Sequence, residues 1–136
     1  MVIPAADSRL GPWSRRAAVG LAATRTALGC VALVAPQAAG RAWIGQGANG
    51  RDRSVIVRAL AGRDVALGLG ALLSLGTVAD ARRWLAMGAT SDFFDTAASA
   101  AGFLVLPKRR RWLVLAASGG AACLGAALAA TLPPPS

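Results

Sequence analysis

An all-α, integral membrane four-helix bundle is the fold class this sequence predicts, on three observations: its composition, its four apolar runs of spanning length, and its short basic connections. Of 136 residues, 55% are hydrophobic and 15% charged, with a mean hydropathy of +0.52. That is too apolar for an ordinary soluble domain. The runs cover about residues 17–35, 58–79, 84–106 and 112–132, each long enough to cross ~30 Å of hydrocarbon at ~1.5 Å per residue. Short turns after the second and third runs make neighbouring helices antiparallel and place both termini on one side.

The chain divides into an N-terminal basic segment (1–16), one four-span domain (17–132) and a Pro-rich tail (133–136). The first run, Ala17 to Ala35, follows Ser14-Arg15-Arg16 and closes at Pro36, a residue suited to a helix boundary. Arg15-Arg16 before an apolar run has the look of a secretion signal, but Arg25 interrupts the run where a signal is normally uncharged, so a retained span is expected. Ala27-Leu28-Gly29-Cys30 lacks the branched apolar residue that a lipoprotein cleavage site carries three before its Cys. From Gln37 to Val57 the composition is mixed. This longest connection contains Trp43-Ile44, suited to a membrane interface, and Arg53 to Arg58, a candidate start for the second helix.

The second run, Arg58 to Ala79, carries Arg63-Asp64 in its first half, and Asp80, Arg82 and Arg83 read as a turn. The third, Trp84 to Leu106, is broken only by Asp92 and Asp95. It ends at Pro107 and the cluster Lys108-Arg109-Arg110-Arg111, which is expected to contact the head groups of anionic lipids. The fourth, Trp112 to Leu132, is uncharged.

A net charge of +9 and a pI near 11.7 would suggest nucleic acid in a soluble protein. Here the Arg residues cluster between apolar runs and aromatic platforms are lacking, so a lipid bilayer is the expected partner and nucleic acid is not. Arg9, Arg15, Arg16, Arg82 and Arg83 fall on one side; Arg41, Arg51, Arg53 and Lys108 to Arg111 fall on the other. The balance leans toward cytoplasmic first and third connections in a plasma (inner) membrane. Arg outnumbers the single Lys108 heavily, as in GC-rich bacterial genomes. With no His, Glu or Tyr, haem or zinc ligation and general-base work near neutral pH are not expected, nor any metal, cofactor or catalytic residue. Cys30 and Cys123 read as two small packing residues rather than a disulfide.

Six charges lie inside the runs: Arg25, Arg58, Arg63, Asp64, Asp92 and Asp95. An intramembrane charge is costly unless paired, so each needs a partner. Ala18, Ala22, Arg25, Gly29 and Ala32 share one stripe of the first helix, and Gly88, Asp92, Asp95, Ser99 and Gly102 share one of the third. In the second helix Arg63, Ala66, Gly70, Ser74 and Thr77 align, with Gly62, Ala66, Gly70 and Ser74 as a small-residue run. Small stripes let helices approach closely, so the charges are expected to face inward. Arg25 and Asp92 both fall ~12 Å deep, Asp95 ~16 Å and Arg63 ~22 Å. The expected pairs are Arg25 with Asp92 and Arg63 with Asp95, leaving Asp64 and Arg58 nearer the opposite interface. Two roles stay open for this polar centre: a lock on helix register, or a ligand or ion site in which an Asp pair shares a proton and Arg receives an anion.

Arg58-Ala59-Leu60-Ala61-Gly62-Arg63-Asp64-Val65-Ala66-Leu67-Gly68-Leu69-Gly70, followed by Asp92-Phe93-Phe94-Asp95, resembles a group of small four-helix bacterial membrane proteins that are distantly similar to the DoxX family. The resemblance covers about residues 16–132 and implies that Arg63, Asp64, Asp92 and Asp95 form the polar centre. DoxX is associated with a thiosulfate:quinone oxidoreductase and membrane redox complexes, but no redox ligand set is present here, and the two Cys are not spaced as a redox pair. The expected function is therefore an interaction or scaffold role without enzymatic activity, in contact with lipid and with a second copy or another membrane protein. The alternatives are a small transporter or ligand-binding protein using Asp92, Asp95 and Arg63, a membrane enzyme acting on a lipid or quinone with Asp92 or Asp95 as acid or base and Arg25 or Arg63 steering an anionic substrate, and a membrane oxidoreductase-associated subunit. Small multidrug transporters resemble the chain in size and span number, yet place a carboxylate in the first span where this chain has Arg25.

Overall fold

In the computed structural model, which describes residues 11–45 and 51–132, every regular element is helical. Helix α1 (Pro12–Val34) opens on a proline, whose missing N–H is no loss in a first turn. It therefore takes in Arg15 and Arg16, which the sequence reading left before the span. The chain breaks at Ala35 (φ −123°, ψ 61°), and Pro36 starts a second, short helix, α2 (Pro36–Ile44). At its end Gly45 takes φ +85°, which favours glycine, and a Cβ there would meet the Pro107 ring at 2.8 Å. So the connection that reads as irregular contains a helix, while Gly47, Gly50, the Pro-rich tail and residues 1–10 lie outside the described residues.

Helix α3 (Arg51–Leu73) begins a full two turns before Arg58 and gives way to a 3-10 turn (Ser74–Gly76). Asp80, Arg82 and Arg83 are not a turn: they stand in the first turns of α4 (Val78–Ala101). Thr77 is extended, its Oγ1 donates to Asp80 Oδ2 at 2.6 Å, and an acid in a first turn complements the helix dipole. Helix α4 also stops earlier than the apolar run. Gly102 caps it, and the chain turns through Leu104 and Val105 before Pro107 opens α5 (Lys108–Ala130). Hydropathy marks where the chain is apolar, whereas caps, glycines and prolines mark where helices end.

Packing is pairwise, with α1 against α3 and α4 against α5. Glycines define the contacts. A Cβ on Gly29 would meet the Ala61 carbonyl at 2.9 Å, and one on Gly68 would meet the Ala22 carbonyl at 2.8 Å, so α1 and α3 run antiparallel. Gly119 beside Thr96 and Gly125 beside Ala89 show the same for α4 and α5. At one end Ala18, Ala81, Leu85, Leu128, Ala129 and Leu132 join both pairs in a single cluster. At the other, Arg110 of α5 donates to the carbonyl of Arg41 at 2.7 Å and to that of Ala42, tying α2 down.

Size is distributed in reverse of a soluble core. Among the described residues, buried apolar positions are mostly Ala, joined by Leu67, Leu85, Leu128, Leu132 and the fully enclosed Val114, while Val55, Ile56, Phe93, Phe94, Trp112 and Leu113 are each more than half exposed. Helices α1 and α5 are long and apolar enough to cross a membrane, with hydropathy 1.7 and 1.9, and only 17% and 22% of those stretches is buried. Helices α3 and α4 match them in length, but Arg63, Asp64, Asp92 and Asp95 lower their apolarity. Hydroxyls along the helices turn inward on their own backbone: Thr26, Thr90, Thr96 and Ser118 each donate to the carbonyl four residues earlier.

Candidate functional site

Five of the six inner charges meet in one group. Arg25, in the middle of α1, donates from Nη2 to Asp92 on α4, and the same nitrogen lies 3.5 Å from the Gly88 carbonyl. Both side chains of this pair are about nine-tenths buried, at 10% exposure each. The guanidinium packs against the backbone at Gly88, 3.7 Å from where a Cβ would stand, which is ordinary van der Waals contact. Arg63 of α3 grips Asp95 of α4 with a two-pronged fork, Nη1 to Oδ1 at 3.2 Å and Nη2 to Oδ2 at 2.7 Å. Such a fork fixes orientation as well as distance.

Asp64 links the two pairs. Its Oδ1 accepts from Arg25 Nη1 and from Arg63 Nη2, each at 3.3 Å, giving a chain Asp92–Arg25–Asp64–Arg63–Asp95 across α1, α3 and α4. The sequence reading had set Asp64 apart, nearer the interface. The reason lies in α3, which carries two small-residue faces. The buried one is Ala61, Leu67, Gly68 and Ala71; of the stripe chosen from spacing, Gly62 and Ala66 are exposed, while Gly70 turns to α4, where a Cβ would overlap the Trp84 ring. Asp64 stands one turn from both Ala61 and Gly68 and is carried inward with them. Arg63, next in line, reaches the group from its flank and stays one-third exposed. Its Nε is buried with no hydrogen-bond partner among the described residues.

Arg58 is the exception. It is exposed near the far end of α1, where its Nε donates to the Leu33 carbonyl at 3.3 Å, and it takes no part in the group. The small stripes of α1 and α4 do face inward, with Ala18, Ala22, Gly29, Gly88 and Asp92 buried. Cys30 and Cys123 do not pack in the interior as the sequence suggested; both are exposed free thiols on outer faces.

The basic cluster opens α5. Arg110 holds α2 by its carbonyls and Arg111 lies over the Phe103 ring at 4.7 Å, while Lys108 and Arg109 are exposed. Among the described residues no group of His, Cys, Asp or Glu could hold a metal ion. The cavity beside Arg25, lined also by Leu67, Trp84 and Gly88, has a volume of about 10 Å3, room for about one water. No protein-family model, curated protein or solved structure matches the chain.

Proposed function

We propose that this chain is a multi-pass protein of a bacterial plasma (inner) membrane, a bundle of four spans built from α1, α3, α4 and α5. Its Arg–Asp group fixes the register of three helices, and its outer faces serve an interaction or scaffold role toward lipid and a second copy or another membrane protein. The observation that carries this reading is the reversed distribution of size, Ala and Gly inside with Phe, Ile, Val and Trp outside. Lipid solvates large apolar side chains, and close helix approach in lipid needs small ones. Charges that pair with one another, and hydroxyls that bond their own helix, fit the same solvent. The small cavity beside Arg25 favours a lock over a substrate chamber. The distant DoxX-like resemblance belongs to this proposal for its architecture, without its redox chemistry.

Thiol labelling tests it. In intact vesicles Cys123, about seven residues or ~10 Å inside the end of α5, is expected to resist a water-soluble maleimide, and to react fully once the protein is unfolded in SDS. Immediate labelling of both exposed thiols in the native protein would refute membrane burial.

One observation favours the ligand-binding alternative. With Arg58 elsewhere, the group holds Arg25 and Arg63 against Asp64, Asp92 and Asp95, so carboxylates outnumber guanidiniums, and a cationic ligand would complete the balance. On that reading Asp64→Asn keeps the fold and abolishes thermal stabilisation by a hydrophobic organic cation. If no such cation stabilises the parent protein, the scaffold reading stands alone.

A further inference from the structure

A cleft outside the charge group opens between the α1–α2 junction and the first turns of α3. It is an open groove with a volume of about 580 Å3, within the roughly 300–1,000 Å3 usual for ligand sites. Arg41 and Gln37 of α2 and Arg51 and Arg58 of α3 line it, together with the apolar Val34 and Val55. Every charge on the lining is positive. Asp52, although next to Arg51 in sequence, does not line the cleft, and among the described residues no carboxylate pairs with Arg41, Arg51 or Arg58.

The cationic wall is partly pre-set. Leu33 offers a carbonyl from the last turn of α1, where helix acceptors lack partners, and Arg58 Nε occupies it. That bond holds the guanidinium at the cleft and leaves its terminal N–H groups for a ligand. Arg41 is positioned through α2, which Arg110 ties to α5. Three forked donors with no anion among them suit a phosphate, whose oxygens match guanidinium geometry. The exposed Val34 and Val55 beside them, 85% and 66% exposed, suit an apolar body attached to that phosphate.

We propose that this cleft binds the phosphate group of an anionic phospholipid. The phosphate site stands on the lining alone, whereas its lipid source rests on the membrane reading above. It is distinct from head-group contact by Lys108 to Arg111, since those residues do not line the cleft.

The test uses the full chain in detergent, with Arg41→Gln/Arg51→Gln compared with Lys108→Gln/Arg109→Gln, an equal charge change at the same end. Native mass spectrometry reads retention of phosphatidylglycerol and phosphatidylcholine; thermal unfolding reads inorganic phosphate and glycerol 3-phosphate. Phosphatidylglycerol affinity is expected to fall roughly tenfold or more in the cleft variant and by less than about twofold in the control. Equal losses in the two variants, or no binding of any phosphate by the parent protein, would overturn the site. Stabilisation by inorganic phosphate, with no phosphatidylglycerol retained, overturns the lipid source and keeps the phosphate site. A protein that carbonate strips from membranes, yet is stabilised by phosphate only when Arg41 and Arg51 are intact, removes the membrane reading and supports the cleft.

Discussion

Arg25→Met is expected to destabilise the fold by about 3–5 kcal/mol, since it leaves the Asp92 carboxylate buried without its cation. The folded fraction should drop steeply, measured by thermal unfolding of the purified protein or by steady-state protein level. Asp92→Leu should be comparably damaging for the mirror-image reason. The double variant Arg25→Met/Asp92→Leu removes both charges and is expected to recover most of the loss, because a buried ion pair replaced by apolar groups of similar volume is often neutral. Recovery is incomplete to the extent that Asp64 also leans on Arg25 at 3.3 Å. A double variant as unstable as the singles would show that Arg25 does more than neutralise Asp92. Arg63→Met should also destabilise, since it leaves Asp95 without its fork; the pair is about one-third exposed on both sides, and within a bilayer that exposure faces hydrocarbon rather than water.

Gly68→Ala should also be strongly disruptive, by about 1–3 kcal/mol. The added carbon would meet the Ala22 carbonyl at 2.8 Å and the Thr26 amide nitrogen at 2.9 Å, both backbone, so α1 and α3 must separate. Gly62, six residues away on the outer face, has nothing within 4 Å of a Cβ. There the same substitution is expected to be neutral or stabilising by up to about 1 kcal/mol, the helix propensity difference. Thermal unfolding of the two variants side by side checks the assignment of faces on α3, and a reversed order would sink it.

Much of the architecture was legible because it rests on period and length. Four long helices, their antiparallel contacts and the inward stripes of α1 and α4 follow from hydropathy and three-four spacing. So does the depth match of Arg25 with Asp92, which joins residues on parallel-running helices. The boundaries were less legible. Arg51, Asp80 and Lys108 are helical although hydropathy excludes them, since charged residues at a span's ends are governed by capping rather than apolarity. Helix α2 was missed because nine residues of mixed character between Ala35 and Gly45 show no sustained period.

On α3 the failure was one of ambiguity. Gly62-Ala66-Gly70 and Ala61-Gly68-Ala71 are equally small, and nothing local to α3 decides between them. The decision comes from α1: Gly29 packs on Ala61 and Gly68 packs on Ala22, which rotates Asp64 in and Arg63 to the flank. A signal was available in the charges themselves. Only the face that includes Asp64 gives Arg25 a second carboxylate.

Helix contacts made largely of the smallest side chains have a consequence for how this protein tolerates change. Ordinary cores fail by losing volume; here Ala18, Ala22, Ala61, Ala81 and Gly29 have almost none to lose. Sequence drift at these positions is thus nearly one-sided: apart from Ala→Gly, each step is an enlargement that wedges two helices apart. On the membrane reading proposed above, the outward positions carry the opposite rule, open to exchange among Phe, Ile, Val and Leu, since fluid lipid imposes no shape. Variation in this protein should therefore concentrate on the large residues and spare the small ones.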